Sequence, residues 1–214
     1  MSDRSGTPSP KATHLGWTQA RVTPAMRATL LGQRGLVVWL TGLSGSGKST
    51  LAVGLDKALH EAGMHSFILD GDNLRQGLSQ DLGFTMDQRS ENIRRTAEVA
   101  KLMAQAGIIT ICSLISPLAE DRNAVRATCQ RDGITLLEVY VNSPLEVCEA
   151  RDPKGLYAKA RRGLIPGFTG IDSPYETPQS PDLELDTSGM RAELCLQRLL
   201  QEVVALARWD ASHE

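Results

Sequence analysis

Aromatic residues are scarce in this 214-residue chain: 4% of it, three each of Trp, Tyr and Phe. Cysteine is scarce too. Cys112, Cys129, Cys148 and Cys195 stand far apart, with no C-x-x-C pair and no zinc-like cluster, so reduced thiols in a cytosolic protein are expected. No stretch approaches the ~20 apolar residues that cross a bilayer. Met1-Ser2-Asp3-Arg4-Ser5-Gly6 lacks the apolar core of a signal peptide. Neither sign of charge dominates: 23 Lys+Arg against 25 Asp+Glu leave a net charge of -2, which offers no basic field for nucleic acid. The expectation is a cytoplasmic protein with neither a membrane nor a nucleic-acid partner. No internal repeat and no second Gly/Pro linker divides the chain, and its length suits one α/β domain with a sizeable core.

What is present is concentrated in one place. Gly42-Leu43-Ser44-Gly45-Ser46-Gly47-Lys48-Ser49 is a complete G-x-x-x-x-G-K-[ST] phosphate loop. It follows the apolar run Leu36 to Thr41 and precedes a helical pattern opening at Lys48 or Ser49, the context that separates a true phosphate loop from a Gly/Ser turn. Its glycines let successive N–H groups point at phosphate oxygens. Lys48 can reach the β- and γ-phosphates, and Ser49 can put its hydroxyl on Mg²⁺. Residues 42–49 with Thr50 are therefore the candidate site for a nucleoside triphosphate.

Around the loop, strand-like runs at 36–41, 65–70, 108–114 and 134–141 alternate with helical patterns at 48–62, roughly 87–106, 118–131, 144–150 and 190–207. Such alternation implies crossover connections and a mostly parallel central sheet with helices on both faces. Residues 1–12 read as a disordered Ser/Pro/Gly arm. Residues 13–34 read as an N-terminal extension packing on the domain, with Trp17 and a short helix from Thr23-Pro24 to Leu31. The domain proper is expected over 35–207, with a tail at 208–214. In open α/β sheets a ligand lies beyond the carboxyl ends of the strands. Four segments follow those ends: the phosphate loop, Asp70-Gly71-Asp72-Asn73, Ile115-Ser116-Pro117 and Asn142-Ser143-Pro144. They are expected to converge on one edge.

Several of these segments admit two readings. Asp70 and Asp72 can serve Mg²⁺ and an acceptor hydroxyl, or form a turn in which Asp72 or Asn73 caps a helix. Arg89 and Asn92, three apart, share a helix face able to hold an anion and a base edge; the same helix could be a solvated face with a Glu91–Arg95 pair. Phe84 sits in a polar segment and is either a ligand platform or core. Arg151 to Arg162 combines cations with flexible glycines, either as a lid that excludes water or as a solvated basic helix. Phe168 lies in a Gly/Pro loop where burial is hard, which favours stacking.

Taken together, Gly42–Ser49, Asp70-Gly71-Asp72-Asn73-Leu74-Arg75, Asp81-Leu82-Gly83-Phe84, Arg89–Arg95, Ile115-Ser116-Pro117, Arg151–Tyr157 and Gly167–Asp172 resemble the adenylylsulfate kinase family. The likeness runs from about Trp17 to Val204. It implies a three-layer P-loop kinase fold and Mg²⁺- and ATP-dependent phosphorylation of the 3′-hydroxyl of adenylyl sulfate, a step of sulfate assimilation. By the same resemblance Phe84 and Phe168 sandwich the acceptor's adenine, and Arg75, Arg89 and Asn92 hold its phosphosulfate and base. Lys154, Ile115 and Gly167 add contacts. Asp70 and Asp72 lie by Mg²⁺ and the hydroxyl, Lys48 serves the transferring phosphate, and Ser49 with Asp70 holds the metal. Ser116 matches a serine phosphorylated in some members, its hydroxyl expected to face the phosphate loop. Thr187 and Met190 align with the segment contacting the adenine of ATP. A homodimer and a functional link to an ATP sulfurylase are also implied.

The runner-up is another small-molecule kinase, for gluconate, shikimate or a nucleoside monophosphate, which would not need paired phenylalanines around a second purine. An idle regulatory module would have lost Lys48, Ser49 or the Asp70/Asp72 pair. A switch GTPase would carry a guanine-reading N-K-x-D, which the chain lacks.

Overall fold

The computed structural model describes Gly16, Thr18 and residues 20–210, so the arm expected over 1–12 and Trp17 lie outside the described residues. In chain order the elements are α1 (Pro24–Leu31), β1 (Leu36–Thr41), α2 (Lys48–Glu61), β2 (Ser66–Asp70), α3 (Gly71–Leu74), α4 (Met86–Gln105), β3 (Ile109–Ser113), α5 (Ala119–Arg131), β4 (Leu136–Asn142), α6 (Leu145–Arg151), α7 (Leu156–Arg161), β5 (Leu183–Asp186) and α8 (Ala192–Ala207). The strands pair in parallel in the order β2-β3-β1-β4-β5.

The layers follow from the side-chain period of two in a strand. Along β1, Leu36, Val38 and Leu40 face one way, against Leu51, Leu55 and Leu59 of α2 and Leu199 and Val203 of α8. Val37 and Trp39 face the other way, against Ile93, Ala97 and Ala100 of α4 and Val125 of α5. Every residue of β1 is buried, which explains its continuous apolar run. The run carries the central strand and delivers the phosphate loop to the middle of the sheet's carboxyl edge.

Two helix starts are specified locally. Thr23 accepts from the Met26 N–H (3.1 Å) ahead of Pro24, as expected. The start of α4 is a capping box made by Thr85 and Gln88, and it places the helix one residue earlier than the pattern alone indicates.

Two features depart from the sequence expectation, and a third, a helix in the basic stretch, keeps to one of its two readings. β5 was not anticipated: Leu183-Glu184-Leu185-Asp186 is short and half acidic, and it becomes a strand by adding to the edge of β4. The cap after β2 belongs to Asp70, whose Oδ1 accepts from Asp72 N (3.0 Å), and not to Asp72 or Asn73. The basic stretch beyond α6 contains the ordered helix α7, whose first N–H groups, on Tyr157 and Ala158, donate to the Asp152 carboxylate at 3.1 Å each.

Candidate active site

The phosphate loop is shaped by its glycines. Gly42 has φ of +149°, and a Cβ there would lie 2.5 Å from the Val141 carbonyl oxygen; at Gly45, φ is +75° and a Cβ would meet the Cys148 carbonyl at 2.9 Å. Only glycine meets both demands. Lys48, almost fully buried, folds back over the loop and donates from Nζ to the carbonyls of Gly42 (2.8 Å) and Leu43 (2.7 Å). Burial lowers the pKa of its ammonium to about 8, while the nearby Asp70 and Asp72 carboxylates work in the opposite direction.

Ser49 donates to Asp70 Oδ2 at 3.0 Å and stands 3.4 Å from the Ser113 hydroxyl. No group of three or more His, Cys, Asp or Glu able to hold a metal occurs among the described residues. A hydroxyl and one carboxylate are hard oxygen donors, the set that suits Mg²⁺ completed by phosphate oxygens and water.

Across the cleft, α4 supports a second half-site. Arg89 donates from Nε to the Phe84 carbonyl (2.8 Å), from Nη2 to the Gly167 carbonyl (2.6 Å) and from Nη1 to the Thr169 hydroxyl. It therefore straps the two phenylalanine loops together. Arg75 donates to the carbonyls of Leu82 (3.1 Å) and Gly83 (2.6 Å), and its guanidinium lies 4.4 Å over the Phe84 ring. Burial lowers the pKa of both arginines, and each remains charged. Asn92 is 3% exposed, lines the cavity, and leaves Oδ1 without a partner among the described residues. A buried amide oxygen without a donor is costly, so a ligand donor is the natural complement. The Glu91–Arg95 pair also exists, with Arg94 and Asp81 beside it. The helix therefore carries the ion-paired Glu91 and Arg95 as well as Arg89 and Asn92, which line the cavity.

The segment from Arg151 to Tyr157 bridges the halves. Lys154 pairs with Asp72 across the mouth, and this raises the pKa of the lysine. Arg151 donates to the Thr187 carbonyl (2.6 Å) and the Gly45 carbonyl (3.3 Å). Tyr157, buried in α7, donates to the Ser44 carbonyl at 2.9 Å and meets Phe168 edge to face at 5.0 Å. A single cavity of about 780 Å³ joins the phosphate loop, Asp70, Asp72, Ile115, Lys154, Thr187 and both phenylalanines.

The sequence profile of the adenylylsulphate kinase family matches residues 34–186. The chain belongs to the adenylylsulphate kinase family. It is 51% identical over 191 residues to the adenylyl-sulfate kinase of Clostridium acetobutylicum, covering 89% of this chain and 94% of that protein. The adenylyl-sulfate kinase of Shewanella pealeana is 54% identical over 195 residues, 91% and 94% of the two chains. Among solved structures, the Mycobacterium tuberculosis APS kinase in complex with AMPPNP and APS superposes with a TM-score of 0.74 at 50% identity, over 81% of this chain and 97% of that one.

Within this adenylylsulphate kinase fold the expected residues do not all meet. Asn142, Ser143 and Pro144 line a separate groove beside Tyr140 and Tyr175, because β4 lies across β1 from β3 and β2. Gly42, Leu43 and Ser46 form the back of the loop: Leu43 packs against the Cys148–Tyr157–Phe168 cluster, and Ser46 is fully buried. Met190 packs against the core beneath α8 and is not among the cavity residues, whereas Thr187 is. Phe84 is 63% exposed, which removes the core reading. Phe168 is only 7% exposed, contrary to expectation, because α7 supplies Tyr157 and Ala160 to cover it. Ser116 is buried in the wall of the same cavity, where its hydroxyl accepts from the Trp39 indole N–H (3.1 Å). Asp172 was given no role, yet its carboxylate takes the N–H groups of Gly167 (2.7 Å) and Phe168 (2.5 Å) and shapes that loop. Arg151 and Tyr157 were equally invisible as loop-to-lid ties, since each acts on backbone carbonyls over 100 residues away.

Proposed function

We propose that this protein transfers the γ-phosphate of ATP to the 3′-hydroxyl of adenylyl sulfate, giving 3′-phosphoadenylyl sulfate and ADP. The observation that carries the reading is the single cavity with a phosphate loop at one end and Phe84, Phe168, Arg89 and Asn92 at the other. A gluconate or shikimate acceptor would have no use for two aromatic walls and an open amide oxygen.

Residues 44–50 would cradle the ATP phosphates, and Thr187 with Arg151 would border its adenine. Lys48 would leave its two carbonyl partners to neutralise charge on the transferring group. Ser49 and Asp70 would hold Mg²⁺, which when bound neutralises phosphate charge. Asp72, freed from Lys154 as acceptor enters, would orient the 3′-hydroxyl and take its proton. Ile115, Gly167 and the two phenylalanines would bound the acceptor, and closure of the lid would keep water from the triphosphate. Direct in-line transfer predicts net inversion at a chiral γ-phosphorus; net retention would establish a phosphorylated enzyme intermediate instead.

A homodimer is part of the proposal: Met26 and Leu30, one turn apart on α1, are 55% and 84% exposed. Light scattering would report it. A cytoplasmic location and action after an ATP sulfurylase are also part of the proposal, and among the described residues no helix is long and apolar enough to cross a membrane. The decisive assay incubates the protein with Mg-ATP and adenylyl sulfate, adenosine monophosphate, gluconate or shikimate in turn. ADP should form with adenylyl sulfate, and faster turnover of any other acceptor overturns the assignment.

A further inference from the structure

Beneath the acceptor half of the cavity lies a knot of buried polar contacts that the reaction does not use. Trp39, in the central strand and 1% exposed, sends its indole N–H to Ser116 Oγ at 3.1 Å. Ser116 has φ of +39°, in the left-handed region although it is not a glycine. The left-handed region is unfavourable for a residue with a Cβ, so surrounding contacts must hold it there. They are on view. Arg122, 3% exposed, donates from Nη1 to the Ser116 carbonyl (2.8 Å) and from Nη2 to the Glu176 carbonyl (2.6 Å), with Nε against Glu138 (3.2 Å). Thr41 donates to the Ile115 carbonyl (2.7 Å) and meets the Tyr175 hydroxyl at 3.0 Å. Glu176 N donates to the Pro117 carbonyl (2.8 Å).

These contacts join the 115–117 turn to the segment that follows the Phe168 loop, and so join two walls of the acceptor half-site. We propose that Trp39 is a positioning residue for the acceptor: its indole holds Ser116 in the left-handed turn, and with Arg122 and Thr41 it sets the Ile115–Pro117 wall against the Phe168 wall. The Ser116 hydroxyl is then a structural acceptor of a hydrogen bond in the wall of the cavity. A buried indole N–H needs such a partner, and Ser116 supplies it. The choice of acceptor rests on the function proposed above; the clamp does not.

The test is a double-mutant cycle of W39F and S116A, read by acceptor KM, ATP KM and thermal unfolding. Each single variant should raise the KM for adenylyl sulfate about fivefold, with ATP KM changed less than about twofold. The double variant should be no worse than either, since no partner is then left alone. Independent side chains would instead multiply to about 25-fold. A folded W39F with unchanged acceptor KM, or multiplicative losses, overturns the proposal. A merely structural role would lower Tm and leave the ratio of the two KM values alone. Should W39F fail to fold, S116A and S116G carry the test, because both remove the indole's partner while only glycine accepts the backbone angle freely; unchanged acceptor KM in both overturns it. If wild-type protein does not turn over adenylyl sulfate, the functional reading fails by itself. The clamp is still judged by coupling in Tm, where a double variant less destabilised than the sum of the singles supports it and additivity refutes it.

Discussion

The two halves of the cavity are built in opposite ways. The phosphate half is built around one contiguous loop, Gly42–Ser49, shaped by glycines pressed against Val141 and Cys148. The acceptor half is gathered from four separate stretches, and its arginines spend their donors on carbonyls of neighbouring loops. A backbone-built site is rigid because its groups have no rotamers to lose. A side-chain-built site must be framed by other side chains, which spreads its sensitivity to mutation over many positions.

The largest expected effect breaks the phosphate half with one substitution. Lys48→Ala should lower turnover at least about a hundredfold with the fold intact, because a cation aimed at developing phosphate charge is worth several kcal/mol. Near-normal turnover in a folded variant, checked by circular dichroism, would contradict the assigned role.

The acceptor half should divide its losses. Phe84→Ala should raise acceptor KM about tenfold through lost stacking of roughly 1–3 kcal/mol, with Tm almost unchanged because the ring is 63% exposed. Phe168→Ala should cause a similar rise in KM and also cost about 3–5 kcal/mol of stability, since its buried ring packs against Tyr157. Equal Tm for the two variants would erase the distinction between an exposed and a packed wall.

Lys48 also gives the phosphate half a pH signature. Its pKa in the folded protein is about 8 against 10.5 for an ordinary lysine, so between those values the unfolded chain binds the extra proton. Stability should therefore rise with pH through that window. ATP phosphates favour the charged form, so ATP binding above about pH 8 should take up a proton. Calorimetry in two buffers of different ionisation enthalpy would detect the uptake, and its absence at pH 8.5, about half a unit above that value, would count against a buried, depressed lysine.

The smallest effect belongs to the lid. Lys154 and Asp72 are 58% and 63% exposed, and an exposed ion pair is worth about 0–1 kcal/mol. Lys154→Ala should change acceptor KM less than about fivefold and leave Tm in place. A larger loss in KM would mean that the lysine contacts the acceptor directly.

Much of this was legible from residues alone. The strand-loop-helix signal around Gly42–Ser49, the continuous apolar run of β1 and the Pro24 helix start each depend on neighbours within one or two turns of chain. Local order is what periodicity and turn chemistry report. The sequence thus determined the α/β alternation, the phosphate loop and the family, through motifs whose geometry is set by their own glycines and spacing. Tertiary structure alone decided that Leu183–Asp186 becomes a strand, that Phe168 is covered, that Ser116 turns its hydroxyl toward Trp39, and that Asn142–Pro144 leave the site. The named partners lie from 11 to 77 residues away: the Tyr157 ring, the edge of β4 and the Trp39 indole. No local propensity encodes where such a partner arrives; only packing the layers against one another brings it there.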